Sequence, residues 1–228
     1  MAVQGPIVIT GASSGIGAAC ARYLDALGFT VWAGVRSTQD GEALTRLTSS
    51  RLRVLMLDVT DPASIEAARK TLAEATRDTG LAGLVNNAGI SVAGPLELLP
   101  LSEVRTQFEV NVIGVLAVTQ ALLPLLRLAR GRIVNISSIA GLAATPFLGA
   151  YCSSKFALEA MSDALRLELV LRFGGRGRGG AARCRWSSRV RSSRRYGNGL
   201  RCRPRAPSVV SSRRHSLCML SRCPGCRR

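Results

Sequence analysis

Tyr151 and Lys155 are the two residues of this 228-residue chain whose types and spacing most directly suggest chemistry. The segment 149–171 predicts a helix, and side chains four positions apart share one helix face. A free tyrosine gives up its proton near pH ~10, and a neighbouring ammonium group lowers that value by stabilising the phenolate. The pair can therefore exchange a proton with a substrate oxygen near neutral pH. Taken alone the spacing is weak evidence, because a tyrosine and a lysine often lie four apart in helices by chance.

A second candidate site is a glycine-rich turn between a predicted strand at 7–10 and a predicted helix at 18–27. Glycines let the backbone turn sharply and approach a pyrophosphate, and the helix N-terminus presents free N–H groups to the anion. A glycine-rich turn in isolation is common, but this one opens a strand–helix–strand unit. We expect six residues of this turn to bind a dinucleotide: Gly11, Ser13, Ser14, Gly15, Ile16 and Gly17.

Several motifs in register resemble the short-chain dehydrogenase/reductase family over about residues 6–171. Residues 10–17 read Thr-Gly-Ala-Ser-Ser-Gly-Ile-Gly, which is similar to the family's cofactor motif. Residues 86–89, Asn-Asn-Ala-Gly, resemble its second signature. Four residues match its catalytic tetrad in order and spacing: Asn111, Ser138, Tyr151 and Lys155.

The resemblance implies a role for each member of the tetrad. Tyr151 would be the general acid/base and would also contact the cofactor, and Lys155 would also hold the nicotinamide ribose. Ser138 would position the substrate oxygen, and Asn111 would hold a water that links Lys155 to solvent. The resemblance also implies cofactor contacts at five further residues: Asp58, Val59, Asn87, Ala88 and Gly89. For Asp58, a turn residue that caps the backbone is an equally good interpretation.

Arg36 bears on the choice between the two nicotinamide cofactors. An acidic residue at the end of the second strand would bind the adenosine ribose hydroxyls and favour NAD. None is present there, and Arg36 can pair with a 2′-phosphate instead. We therefore predict NADP, with NAD as the alternative and an ordinary solvated cation as the other interpretation of Arg36.

Short apolar runs alternate with helical patterns in the first 171 residues, and these elements must position the site. We expect strands at 7–10, 31–35, 54–57, 84–85 and 133–136. We expect helices at 18–27, 41–49, 101–128 and 149–171, and a further one that begins with Asp61 as N-cap and Pro62 at its first position. The alternation predicts an α/β fold, a Rossmann-type doubly wound parallel sheet with helices on both faces. The run 112–129 is apolar, but Gln120, Pro124 and Arg127 interrupt it, so we expect no membrane span.

Charge divides the chain into two parts near residue 172. All 14 acidic residues lie in 1–171, whereas 172–228 contains 17 arginines, no acidic residue and five of the seven cysteines. We predict a dinucleotide-binding and catalytic domain over 1–171 and a disordered or non-native tail over 172–228, with the C-terminal strands missing. From Arg185 onward, a shifted reading frame permits Val-Val-Glu-Pro-Gly-Pro, which resembles the family's missing strand and turn.

Two other interpretations of the tail remain. It could be a genuine basic arm for nucleic acid or an acidic membrane surface, or Cys223 and Cys226 could bind zinc. A single Cys-x-x-Cys pair is weak evidence, so we predict no metal site. Cys20 and Cys152 are expected to be small buried residues.

Together these observations predict an NAD(P)-dependent oxidoreductase that interconverts an alcohol and a ketone or aldehyde by hydride transfer. The alternatives are a catalytically impaired dinucleotide-binding module and an interaction protein with a basic tail. The stretch 50–62 is similar to retinol- and steroid-handling members of the family. We expect a cytoplasmic location, a small-molecule substrate, no nucleic-acid partner and, by family analogy, a homodimer or homotetramer. Without its last strands the chain is expected to be poorly soluble and weakly active or inactive.

Overall fold

The computed structural model describes residues 5–173 and 183–184 of the chain. Its strands are β1 Ile7–Ile9, β2 Val31–Val35, β3 Leu52–Met56, β4 Gly83–Asn86, β5 Arg132–Asn135 and β6 Arg183–Cys184. Its helices are α1 Gly15–Ala26, α2 Thr38–Thr45, α3 Pro62–Ala75, α4 Leu101–Phe108, α5 Gly114–Leu128 and α6 Gly149–Phe173. The chain divides into two compact units, Met1–Val190 and Arg191–Arg228, and every described residue belongs to the first unit.

All strand pairs in the sheet are parallel, in the order β3-β2-β1-β4-β5-β6. Val8 of β1 is in register with Trp32 on one side and Leu84 on the other. The strand order reverses at β1, so a crevice opens beyond the carboxyl ends of β1 and β4, where α/β sheets bind their ligands. The predicted doubly wound α/β fold is confirmed.

The last strand differs from the expectation that the C-terminal strands are missing. Arg183 and Cys184 form a two-residue parallel strand, which pairs with Arg132 and Ile133 of β5. Strand pairing needs only backbone N–H and C=O groups, so a segment without an apolar run can still supply it. The other predictions for 172–228, including disorder, the shifted frame and the absence of zinc at Cys223 and Cys226, concern residues outside those described.

The core lies on both faces of the sheet, because successive side chains of a strand point to opposite faces. Ile7 and Ile9 face one side, where they pack with residues of α1 and α2. Val8 faces the other side, with residues of α3, α5 and α6. Val8 and Ile9 are both fully buried, as expected for a central parallel strand.

The start of α3 forms as its residue types predict. Asp61 is the N-cap, and its carboxylate accepts hydrogen bonds from the backbone N–H groups of Ala63 at 2.9 Å and Ser64 at 3.2 Å. Pro62 occupies the first helical position, where its missing N–H group removes no hydrogen bond.

The segment expected to be helical over 101–128 contains a turn of π-helix at Glu109–Ile113 between α4 and α5. Within the described part of the chain, Leu101–Leu128 is the one stretch long and apolar enough to cross a membrane, with a mean hydropathy of 1.7. Core helices of soluble proteins pass the same test, and α5 buries Val118, Leu122 and Leu126 against the sheet.

Candidate functional site

In the glycine-rich turn after β1, Gly11 and Gly17 occupy positions where a side chain would clash with neighbouring atoms. Gly11 has a φ of 63°, and a Cβ atom there would lie 2.8 Å from the Cα of Ala88. A Cβ on Gly17 would overlap the carbonyl oxygen of Gly11 and lie 2.5 Å from Nδ2 of Asn87. The turn is thus packed backbone against backbone, which leaves its outer surface free for a phosphate.

Thr10 and Asn87 fasten this turn to the end of β4. Thr10 Oγ1 accepts hydrogen bonds from the backbone N–H groups of Asn87 and Ala88, each at 3.0 Å. In return Asn87 Nδ2 donates to the carbonyls of Thr10 at 3.1 Å and Gly11 at 2.8 Å. Asn87 therefore shapes the site as well as lining it. The role of Thr10 in fixing the turn was not predicted from the sequence. The feature that could have indicated it is a threonine at the end of a buried strand.

A cavity of about 440 Å³ lies beyond the carboxyl ends of the strands and joins the glycine-rich turn to the start of α6. Twelve of the predicted site residues line it: Gly11, Ser13, Ser14, Ile16, Arg36, Asp58, Val59, Asn87, Ala88, Gly89 and, from α6, Tyr151 and Lys155. Four others, Gly15, Gly17, Asn111 and Ser138, do not line the cavity. The structure thus brings the two candidate sites of the sequence into one continuous space.

Arg36 and Asp58 lie at the end of the cavity formed by β2 and β3. Asp58 accepts hydrogen bonds from the N–H of Thr60 at 2.9 Å and from its hydroxyl at 2.7 Å. These bonds, and then the positive charge of Arg36, hold the pKa of Asp58 below its usual value. Asp58 is thus a turn residue that caps the backbone, as one prediction had it. It also lines the cavity, as the predicted cofactor contact requires. The guanidinium of Arg36 is exposed at the rim.

Lys155 is a buried cation beside Tyr151. Its side chain is 5% exposed, and Nζ lies 5.8 Å from the centre of the Tyr151 ring. Nζ donates a hydrogen bond to the carbonyl of Ile136 at 2.9 Å. Burial lowers the pKa of Lys155, and the charge of Glu159 opposes that shift. Because α6 presents residues 151 and 155 on one face, the two groups reach the same wall of the cavity.

The two serines after β5 differ in position. Ser138 is the N-cap of a 3₁₀ turn, Ile139–Gly141, and its Oγ accepts a hydrogen bond from Ala140 N–H at 3.2 Å. Ser137, which is not among the predicted site residues, lines the cavity. Among the described residues, its buried Oγ atom has no hydrogen-bond partner.

Asn111 lies in the π-helical turn and is completely buried. Its Oδ1 accepts from Ile90 N–H at 2.8 Å, and its Nδ2 donates to the Ile90 carbonyl at 2.8 Å and to Ser154 Oγ at 3.0 Å. The side chain therefore holds the segment after β4 against α6. The predicted water-holding role is not tested by these contacts, and turns of π-helix occur frequently at functional sites.

A sequence model described as "short chain dehydrogenase" matches residues 6–172. The chain belongs to this family. It is 49% identical to human retinol dehydrogenase 16 over 164 residues, which are 72% of this chain and 51% of that protein. It is 48% identical to human 17-beta-hydroxysteroid dehydrogenase type 6 over 164 residues, again 72% and 51%. The chain thus spans about half the length of the curated relatives it matches.

Solved structures agree with this assignment. A short-chain dehydrogenase from Streptomyces avermitilis has a TM-score of 0.69 and 33% identity, with 80% of this chain and 71% of that one covered. A gluconate 5-dehydrogenase from Burkholderia cenocepacia, in complex with NADP and tartrate, has a TM-score of 0.65 and 27% identity, with 72% and 65% covered. The predicted family resemblance is confirmed.

A nicotinamide dinucleotide fits the residues that this family member presents. Gly11 and Gly17 allow the turn to pack closely against Ala88 and Asn87, and the cavity continues from this turn to Tyr151. The described residues contain no group of three or more His, Cys, Asp or Glu side chains that could hold a metal ion. Cys152 is buried and Cys20 is half-buried, and burial raises the pKa of the Cys20 thiol.

Proposed function

We propose that the protein is an NADP-dependent oxidoreductase that interconverts an alcohol and a ketone or aldehyde. The observation that carries the proposal is the single cavity that has the glycine-rich cradle at one end and Tyr151 with Lys155 at the other. A pyrophosphate cradle alone is typical of any dinucleotide-binding domain. A phenol and an ammonium group beside the same space add the proton exchange that alcohol oxidation requires.

A bound nicotinamide cofactor would supply the hydride acceptor or donor of the reaction. Tyr151 would give a proton to the carbonyl oxygen during reduction and remove it from the hydroxyl during oxidation. Lys155, held by the carbonyl of Ile136, would stabilise the phenolate form of Tyr151 through its positive charge. Ser138 follows the cavity-lining Ser137, and a rotation of its side chain would let its hydroxyl orient the substrate oxygen. Asn111 would keep the segment after β4 in place through Ile90.

NADP is proposed over NAD because of the charges at the end of β2. Arg36 lines the cavity there and is available to a 2′-phosphate. Asp58, the nearest acidic candidate for ribose hydroxyls, is already bonded to Thr60. The structural neighbour from Burkholderia, which was solved with NADP, supports the same choice.

An apolar alcohol or ketone is the proposed substrate. The relatives that act on retinol and hydroxysteroids support this, as does the predicted similarity of 50–62 to such enzymes. Exposed Leu96 and Phe147 lie next to the first turn of α6, since Phe147 accepts a hydrogen bond from Gly94 and Leu96 packs against Gly149. These side chains would contact the hydrocarbon part of a substrate that approaches Tyr151.

We also propose, from family analogy, that residues 1–171 form the catalytic domain of a cytoplasmic homodimer or homotetramer without a membrane span or nucleic-acid partner. The exposed Ile113 and Leu128 on the helical segment 101–128 support a subunit contact at that face.

The decisive experiment for the function is turnover of the full chain with NADP and a series of alcohols, including retinol and a hydroxysteroid. Tyr151→Phe should reduce kcat at least ~100-fold and leave the affinity for NADPH within about twofold, because only the proton donor is lost. Tyr23→Phe is the matched control, since Tyr23 is exposed on α1.

Cofactor binding without turnover by the parent chain would favour the impaired binding module over the enzyme. Equal turnover by Tyr151→Phe and the parent chain would contradict the proposed role of Tyr151.

A further inference from the structure

Glu159 is a half-buried residue that the proposed reaction does not yet use. It lies one helical turn after Lys155 on α6, so both side chains are on the helix face that bears Tyr151. Its Oε1 atom is shielded from solvent and, within residues 5–173, has no hydrogen-bond partner. A shielded carboxylate oxygen without a hydrogen-bond partner has a cost unless a nearby charge compensates it.

Gly141 shows how closely the neighbouring turn covers this carboxylate. A Cβ atom on Gly141 would lie 3.0 Å from Glu159 Cγ, 3.0 Å from Ser137 Oγ and 3.1 Å from the Lys155 carbonyl. The 3₁₀ turn therefore packs directly on α6 next to Glu159, which it can do because Gly141 has no side chain. Water exclusion strengthens any charge interaction in the covered region.

Lys155 is the charge that Glu159 can compensate. The ammonium group is buried and has one hydrogen-bond acceptor, the Ile136 carbonyl, so its charge is poorly solvated. Glu159 raises the pKa of Lys155 against the effect of burial. No direct ion pair joins the two groups among the described side chains, so the interaction acts through space.

Other charged groups near α6 are less well placed. The 3₁₀ turn has none, and the charged residues of α4 and the π-helical turn are exposed to water: Glu103, Arg105 and Glu109. Farther along α6, Asp163 and Arg166 pair with each other at 3.1 Å on the surface, and Glu168 is also exposed. The Arg183 side chain of β6 lies outside those described. Glu159 is thus the carboxylate near Lys155 that has an oxygen atom shielded from solvent.

We propose that Glu159 is a positioning residue that keeps Lys155 protonated at the wall of the cavity. The inference deepens the proposed function, since a protonated Lys155 is what stabilises the phenolate of Tyr151. The competing explanation is purely structural: Glu159 would accept a hydrogen bond from Ser137 after a small movement around Gly141.

The experiment observes Lys155 directly and needs no turnover. Lys70 and Lys155 are the two lysines of the sequence, so ¹³Cε-lysine labelling gives two NMR signals, which Lys155→Arg assigns. In Glu159→Gln, the Lys155 titration midpoint should move down by roughly 0.5 to 1 pH unit, because loss of a nearby negative charge favours proton release. The Lys70 signal, on the exposed face of α3, serves as the internal reference.

Asp163→Asn is the matched control, because it removes an exposed carboxylate from the same helix and should leave the Lys155 midpoint in place. If Glu159→Gln does not fold, Glu159→Met removes the charge without leaving a polar atom buried, and the same shift is expected. An unchanged Lys155 midpoint in the folded variant would overturn the proposal and favour the structural role. That result differs from a failure of the proposed function, which would appear as absent NADPH binding or turnover in the parent chain.

Discussion

The two ends of the cavity are built in different ways. At the cradle, Thr10 and Asn87 form four hydrogen bonds that join the turn to β4, and glycines make the close contacts. At the tyrosine end, Ser137 Oγ and Glu159 Oε1 are buried without partners among the described residues. Lys155 is a buried charge with one hydrogen bond.

The difference matches the two functions of the site, pyrophosphate binding at one end and proton exchange at the other. Binding a pyrophosphate needs a rigid backbone, which a fully bonded turn supplies. Proton exchange needs groups whose charge can change, and such groups lose that freedom when strong partners fix one form. The tyrosine end therefore contains polar atoms whose hydrogen bonds are not all formed within the described structure.

The largest effect is expected from Gly17→Ala in the cradle. The added Cβ would overlap the backbone of Gly11, which a rigid turn cannot relieve, so NADPH affinity should fall about 100-fold. Fluorescence titration of NADPH measures this. Gly83→Ala is the control, because a Cβ at that buried glycine meets Ile7 at an ordinary 3.5 Å. Equal losses in both variants would show that the cradle is not specially constrained.

Asp25, unlike Glu159, has hydrogen-bond partners for both of its carboxylate oxygens. Asp25 of α1 accepts from the N–H of Ser49 at 2.8 Å and from the Ser49 hydroxyl, and these bonds lower its pKa. Asp25→Asn should reduce the free energy of unfolding by about 1–3 kcal/mol at neutral pH. Urea unfolding at several pH values measures the loss.

The pH dependence of that effect has a definite sign. The folded-state pKa of Asp25 is lowered, so its stabilisation is complete above the unfolded-state value and is lost as the pH falls through the folded-state value. The difference between Asp25→Asn and the parent chain should therefore shrink in acid. A difference that persists unchanged there would contradict the assignment of the effect to the charge of Asp25.

The smallest effect is expected from Ser137→Ala. Removal of a buried hydroxyl without a partner should leave the free energy of unfolding unchanged or raise it by up to about 1 kcal/mol. Ser138→Ala, which removes the hydrogen bond to Ala140, should instead lower it by about 0.5–1 kcal/mol. Thermal unfolding of both variants tests the contrast, and a clear loss in Ser137→Ala would place that hydroxyl in a structural hydrogen bond.

The sequence predicted the fold and most of the site because these depend on local patterns. The apolar runs, the N-cap at Asp61 and the glycine-rich turn each report their structure within a few residues. The sequence could not predict that Ser137 lines the cavity whereas Ser138 caps the 3₁₀ turn, because this depends on how the turn packs on α6. Glu159 was missed for the same reason, since the turn that packs beside it contains Gly141, eighteen positions away. The two-residue β6 was missed because backbone pairing leaves no pattern in so short a segment.

The most direct test of the central claim is the titration of the full 228-residue chain with NADPH and with NADH, followed by cofactor fluorescence. The account predicts saturable binding at one site, with NADPH bound about 10-fold more tightly than NADH because Arg36 pairs with the 2′-phosphate. Arg36→Leu should remove most of that preference. A chain that is folded by circular dichroism and binds neither cofactor would contradict the claim that this cavity is a nicotinamide dinucleotide site.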